Sequence, residues 1–464
     1  VVYFGIFNWG SLRVHFALDD IANMGHYYEY SPWQVLLSNL LPWRGDSRPM
    51  GGLFYMPIYH FAGLNPVPYQ AVLLLIVLAN VYFVYRFARE LGASELAAAL
   101  AAFVSCYHGG IGNLYYNAAF VFDALCSLFF LAAFVYYLRI RNRGELLNAR
   151  QTIFFLLLFL GALDSKEMAV TIPILLVIYE WIYHRPDNWS VAALVAWVRG
   201  PARVAWIAAV LNALDIYPKI SGPTAMTAAF SYRPEFTTAR LHKFWVEALR
   251  DLLCSWAWTP GPRDFLLICL ALAVLAWWNF RRPILPFLFW YLVVVPFPIE
   301  FLMGKAQACL TLIMVGGVIF LAVVFADAVE WLAPRLARIF GLPESDRRRI
   351  AAVMIGITLF FWVKRQSYIR DMTGGPPMTT LGFETWDLIQ QLTASDYRPK
   401  PGTMVVFTED PFPETYDMYF LVGLWLHDRS VKVHVTRLGP LPDSELAKAD
   451  AIFAIHDRKL QRLK

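Results

Sequence analysis

Two adjacent carboxylates, Asp19 and Asp20, follow the first apolar run of the chain, and Arg48-Pro49 closes the aromatic-rich polar stretch behind them. A carboxylate pair can supply a general base from one side chain and an orienting group or divalent-metal ligand from the other. An arginine in the same stretch adds a permanently charged, planar donor suited to anions. The plain alternative is a solvated helix end, where aspartate is common.

Three further places carry residues able to do chemistry. Asp164-Ser165-Lys166-Glu167 sets three ionisable side chains between two short apolar segments. Facing lipid they would be costly, so they face a cavity, pair with one another, or form a tight outer turn in water. His108 and Asp123 flank a turn, Gly109-Gly110-Ile111-Gly112-Asn113, and Asp123 lies in a segment otherwise made of Phe, Leu and Val. An intramembrane carboxylate is a functional candidate, against a structural hydrogen bond to a neighbouring helix. Pro296-Phe297-Pro298-Ile299-Glu300, with Lys305 and Gln307 behind it, reads as a broken helix end that could line the same outer cavity. Asp327 and Glu330 fall at the inner end of a late span and read as interfacial.

The elements that must hold these residues are set by composition. Of 464 residues 58% are hydrophobic and 16% charged, against about a quarter charged in soluble domains, so the class is an all-α polytopic membrane protein. The net charge of +5 does not indicate nucleic-acid binding, because the arginines cluster between apolar segments. Cys106, Cys126, Cys254, Cys269 and Cys309 lack CxxC spacing and read as small buried hydrophobes. Val1 begins within an apolar run with no basic segment before it, which reads as a truncated first span.

A crossing takes about 20 apolar residues, fewer beside a protein-lined cavity. Spans are expected near 1–11, 67–86, 95–108, 118–138, 151–163, 168–183, 203–216, 264–280, 283–298, 308–331 and 349–363, about eleven transmembrane helices. Alternate connections carry Arg86/Arg89, Arg139/Arg141/Arg143/Arg150, Arg185/Arg199/Arg203, Arg281/Arg282 and Arg335/Arg338/Arg347/Arg348/Arg349. The positive-inside rule makes these cytoplasmic and puts the candidate residues and the C-terminus on the outer face of the plasma (inner) membrane. Residues 51–61 and 237–256 read as interfacial helices. After 1–363, residues 364–464 read as a small extracytoplasmic α/β domain: a Gly374-Gly375-Pro376-Pro377 break, strands at 403–407, 431–435 and 451–455, and helices at 384–392 and 416–426. No repeat of 20–50 residues is visible.

In order along the chain, an acidic pair after the first span, a loop-closing Arg-Pro, His and Asp across the third and fourth spans, a Ser-Lys-Glu turn and a proline-rich outer helix end resemble the GT-C superfamily of membrane glycosyltransferases. The protein O-mannosyltransferase branch is the nearest likeness, over roughly residues 10–330. Asp19-Asp20, Arg48-Pro49 and Ser165-Lys166-Glu167 match its motifs, and His108 and Asp123 match the ends of its His-Pro to Gly-Arg-x-Asp segment. Gly109 replaces the proline, Val121-Phe122 replaces Gly-Arg, Lys305 is the nearest cation after Pro298, and the tetratricopeptide repeats of some members are missing.

The resemblance implies transfer of a sugar, mannose in that branch, from a polyprenyl-phosphate carrier to a protein or lipid hydroxyl outside the cytoplasm. A lipid phosphate leaves without a general acid, so the site needs cations for the developing charge: Arg48 first, then Lys166 and Lys305. Asp19 or Asp20 would activate the hydroxyl, with inversion at the anomeric carbon, and a divalent metal such as Mg or Mn on that pair would serve the same electrostatic end. Glu167, His108, Asp123 and Glu300 are supporting candidates. A lipid-linked glycan flippase is the rival, and it calls for mid-membrane charges and two symmetric halves. An O-antigen polymerase or ligase is a third reading, favoured by the basic 217–263 loop.

Overall fold

The computed structural model describes residues 1–464 except 45–46, 187, 222–229, 258–259, 279–281, 375–381, 396, 410–411, 413–416, 429 and 457. Asp46, Arg281 and most of the Gly374–Pro377 break lie outside the described residues.

Among the described residues, four helices are long and apolar enough to cross a membrane: Pro66–Glu90, Ala118–Arg141, Gln307–Ile339 and Arg347–Met372. Val191–Arg199 and Arg203–Ser221, bent by 60°, would make a fifth crossing if taken as one. The other expected spans fall on shorter helices such as Glu95–Ser105, Ala149–Leu163 and Ile172–Tyr183. At 1.5 Å per residue these reach roughly 17–23 Å, less than a hydrocarbon core of about 30 Å.

Local chemistry sets the helix ends. Asn65 accepts from the Val67 N–H and Pro66 opens the first turn, while Gly92 in the left-handed region (φ 94) ends the helix past Glu90. Leu73, Val77, Val84 and Phe87 face inward from this helix, and Asn80 donates to the Ala124 carbonyl at 2.8 Å. A buried amide bonded to the next helix fixes their register where lipid offers no competing partner. At the C-terminal end of the helix Val121–Arg141, Arg141 and Tyr137 both reach Glu180, a buried three-member cluster with bonds of 2.7–2.9 Å.

The 18–49 stretch is largely helical. Leu18–Tyr28, the acidic helix, is followed by Pro32–Leu40, which opens on a reciprocal cap between Ser31 and Gln34. Met50–Ala62 and Thr238–Leu252 form where the interfacial helices are expected.

The C-terminal sheet has strands β1 Met404–Phe407, β2 Lys432–Val435, β3 Ala451–His456 and β4 Lys459–Arg462 in the order β2-β1-β3-β4. β1 lies parallel to β2 and β3, and β4 returns antiparallel along β3. Residues 364–369 still belong to the long helix Arg347–Ile369, and the first helix on the sheet is Phe383–Ala394.

This unit packs onto the acidic helix. Phe420, on helix Asp417–Leu426, sits so close to Gly25 that a Cβ there would lie 2.2 Å from its ring. Tyr59 hydrogen-bonds the Leu424 carbonyl and His427 (2.9 Å), and Trp386 stacks on His15 at 4.9 Å.

Candidate functional site

Arg48 is held by its backbone and its side chain together. Its φ of 50° lies in the left-handed region, unusual for a side-chain-bearing residue and more so before proline. Its carbonyl accepts from Tyr27 Oη at 2.6 Å, Asn39 donates to the Pro49 carbonyl at 2.9 Å, and the Met50 N–H donates to the Asp164 carbonyl at 3.2 Å. These bonds hold a conformation that costs about 1–3 kcal/mol.

The guanidinium forks onto Glu167, Nε to Oε1 at 3.1 Å and Nη2 to Oε2 at 3.0 Å, and Nη2 also donates to Tyr232 Oη at 2.7 Å. The rings of Tyr232 and Phe122 lie 5.2 and 5.7 Å from its carbon. Both N–H groups of Nη1 are uncommitted among the described residues. Burial alone would raise the Glu167 carboxyl, but Arg48 overrides it and holds the group down at about 2.

Lys166, beside Glu167, turns inward. Its ammonium donates to both oxygens of Asp123, at 2.6 and 2.7 Å, and to Cys309 Sγ at 3.3 Å. All three protons are spent. Ser165 Oγ bonds the Gly161 carbonyl, and a second buried pair, Lys219–Asp215 at 2.8 Å, reaches the Leu163 carbonyl. The 163–167 turn is therefore pinned from three sides, which places Arg48 through Glu167.

His108, Lys305 and Glu300 gather elsewhere. His108 accepts from the Gly110 N–H at 3.1 Å and lies 4.0 Å from Cys254 Sγ and 5.5 Å from the Trp362 ring. The structure does not join it to Asp123. Lys305 pairs with Asp251 at 3.3 Å, and Asp251 also accepts from Gln307 (3.2 Å) and Trp256 (3.0 Å). Gly110 fits against the Asp251 carbonyl, where a Cβ would stand 1.8 Å away. Glu300 is buried beside Trp245 of the helix Thr238–Leu252. This second cluster docks the helix Thr238–Leu252 onto the turn after His108.

The acidic pair divides. Asp20 is 1% exposed; its Oδ2 accepts the Ala17 N–H at 3.0 Å, capping the acidic helix, and Oδ1 accepts from Tyr55 Oη at 3.4 Å. Burial pushes its carboxyl up to about 8, so it is mostly protonated at neutral pH. Asp19 is exposed at the first turn. Consecutive residues on a helix point about 100° apart, and Asp20 is already committed to its cap, so the two carboxylates do not fit a shared divalent ion. Among the described residues no group of three or more His, Cys, Asp or Glu could hold a metal.

Tyr55 and Tyr27 link Asp20 to the backbone of Arg48: Tyr55 Oη donates to Asp20 Oδ1, its ring stacks on Tyr27 at 6.2 Å, and Tyr27 Oη donates to the Arg48 carbonyl. Tyr27, Tyr55, Tyr232, Asp251 and the Asp215–Lys219 pair are absent from the sequence-based candidates. Only the i,i+4 spacing of Asp215 and Lys219 in an apolar segment marked any of them.

No protein-family model and no curated protein matches the chain. Solved structures do. The oligosaccharyltransferase of Archaeoglobus fulgidus, tethered to an acceptor peptide with an NVT sequon, is similar at 10% identity and TM-score 0.47, over 83% of this chain. The chain spans 55% of that protein's length. ArnT from Cupriavidus metallidurans, bound to undecaprenyl phosphate, is similar at 14% identity and TM-score 0.49, over 98% of this chain and 91% of that one.

Proposed function

We propose that this protein is a multi-pass membrane glycosyltransferase that moves a sugar from a polyprenyl-phosphate carrier to a protein or lipid hydroxyl on the extracytoplasmic face. The observation that carries this reading is the state of Arg48. Its guanidinium is fixed by Glu167 and Tyr232, yet among the described residues two N–H donors on Nη1 remain for an anion. A pre-positioned cation is the electrostatic device that leaving phosphate needs, and fixing it beforehand avoids reorganisation during reaction.

Asp19, not its buried neighbour, is the base in this reading. Its carboxylate takes the proton of the acceptor hydroxyl while that oxygen bonds to the anomeric carbon. The bond from that carbon to the phosphate oxygen breaks, its electron pair leaves with the phosphate, and Arg48 meets the charge. Attack opposite the leaving group inverts the centre. Asp20 acts as a positioning residue that caps the acidic helix, and Lys166 holds the turn bearing Glu167. Mannose is the sugar that the resemblance to the O-mannosyltransferase branch favours.

Purified protein in lipid nanodiscs, given radiolabelled polyprenyl-phospho-mannose and a hydroxyl acceptor peptide, is expected to transfer label. Asp19→Asn and Arg48→Ala should each lower turnover at least about a hundredfold. Full turnover in both variants overturns the site. Translocation of the lipid-linked sugar across vesicles without any turnover replaces the reading with a flippase.

A further inference from the structure

The outer loop reaches the Arg48 site along a short backbone ladder. Residues 231–235 run against 301–304, with an antiparallel bridge between Pro234 and Leu302. The Glu235 N–H donates to the Phe301 carbonyl at 2.8 Å, Met303 N–H to Arg233 at 3.3 Å, and Gly304 N–H to Ser231 at 3.2 Å. This ladder fixes the backbone on both sides of Tyr232 and sets its ring beside the guanidinium.

A phenol can accept and donate at once. Tyr232 Oη accepts from Arg48 Nη2, which leaves its own proton uncommitted among the described residues. The ring is half-buried, so that proton has access to an arriving ligand. Two unspent donor groups, the Tyr232 O–H and Arg48 Nη1, therefore flank one spot, and among the described residues no carboxylate oxygen other than those of Glu167, already bonded to the guanidinium, is hydrogen-bonded to either residue.

We propose that Tyr232 is the second phosphate-binding residue of this site, its phenol proton and Arg48 Nη1 gripping two oxygens of one phosphoryl group. The inference rests on the reading that phosphate approaches Arg48. A neutral donor beside a fixed cation adds a directional bond without adding a second charge for the departing lipid phosphate to escape.

The test is direct binding of tritiated polyprenyl phosphate to the full chain in nanodiscs, with phosphate-free polyprenol as control. Tyr232→Phe keeps the ring over the guanidinium and removes only the hydroxyl. It is expected to weaken polyprenyl phosphate about tenfold, the worth of one hydrogen bond to a charged group, and to leave polyprenol unchanged. Repeating Tyr232→Phe on an Arg48→Ala background separates direct contact from action through Arg48. A further loss of several-fold there supports contact. No further loss, or no effect in the wild-type background, overturns the proposal.

Inorganic phosphate is the competitor arm: competition shows that the free anion suffices, and its absence shows that the lipid tail is required, with the role of Tyr232 intact in both. Sugar transfer does not enter this readout. Failure of transfer alone removes the glycosyltransferase reading and leaves the phosphate clamp, whereas unshifted affinity removes the clamp alone.

Discussion

Glu167 carries the most direct quantitative prediction. Its carboxylate makes two near-parallel bonds to Arg48, and the two side chains are 22% and 16% exposed, so solvent screens the pair little. A carboxyl held at about 2 instead of 4.5 corresponds to about 3 kcal/mol of preference for the charged form in the folded chain. That figure sits at the low end of the roughly 3–5 kcal/mol lost when one member of a buried pair is removed. Glu167→Gln should therefore lower stability at about pH 7 by about 3 kcal/mol. If the chain melts as a unit, this is about 3 °C in the melting midpoint.

The sign of the pH dependence distinguishes charge from packing. The folded value is depressed below the unfolded one, so the contribution is complete above about 4.5 and disappears as pH falls towards about 2. By about pH 3 the gap between wild type and Glu167→Gln should shrink to under half. Thermal melting in nanodiscs at the two pH values reads this. An equal gap at both, or none at neutral pH, would refute the account of Arg48 as a cation fixed by Glu167.

Three other perturbations follow from the same geometry. Because Asp20 is held mostly protonated, with its carboxyl at about 8, Asp20→Asn should change turnover less than about tenfold, and Asp19→Asn far more. Asp20 has a raised value, so its burial is costless below its unfolded value near 3.8 and costs progressively more as pH rises towards 8; melting curves of Asp20→Asn should gain on wild type in that direction. Gly25→Val drives a side chain into the Phe420 ring, so limited proteolysis should release residues 383–464 sooner, and adding Phe420→Ala should restore protection. Lys166→Met should cost about 3–5 kcal/mol by stranding Asp123, and Lys166→Met with Asp123→Leu should regain most of it in thermal melting.

The parts of the fold that were legible in sequence are those whose pattern is local. Strands expected at 403–407, 431–435 and 451–455 correspond to β1, β2 and β3 because alternation and bounding turns mark them. β4 escaped because Lys-Leu-Gln-Arg on a sheet edge has the composition of a tail. The helix Thr238–Leu252 showed in its apolar spacing of three and four, and Met50–Ala62 in a short apolar run. The 18–49 stretch read as a loop because its aromatic and charged residues blur the apolar period. Yet Ser31-Pro32-Trp33-Gln34 carries a capping-box signal, and the structure starts a helix there.

The site was legible only as an inventory. Sequence ranked Arg48 ahead of Lys166 and Lys305 as the phosphate cation, and what separates them in the structure is how many donor protons their neighbours leave. Lys166 has three and spends them on Asp123 and Cys309. Lys305 is paired with Asp251, in the cluster beside His108. Arginine has five N–H groups in a fixed fork, so Glu167 and Tyr232 can immobilise Arg48 and still leave two for an incoming anion. The pairings span 119, 43 and 184 residues of chain, beyond any local pattern. A lysine at position 48 would have no fork to divide between anchoring and binding, so Arg48→Lys should lose the orienting bonds, the phosphate contact or both, although the charge is unchanged.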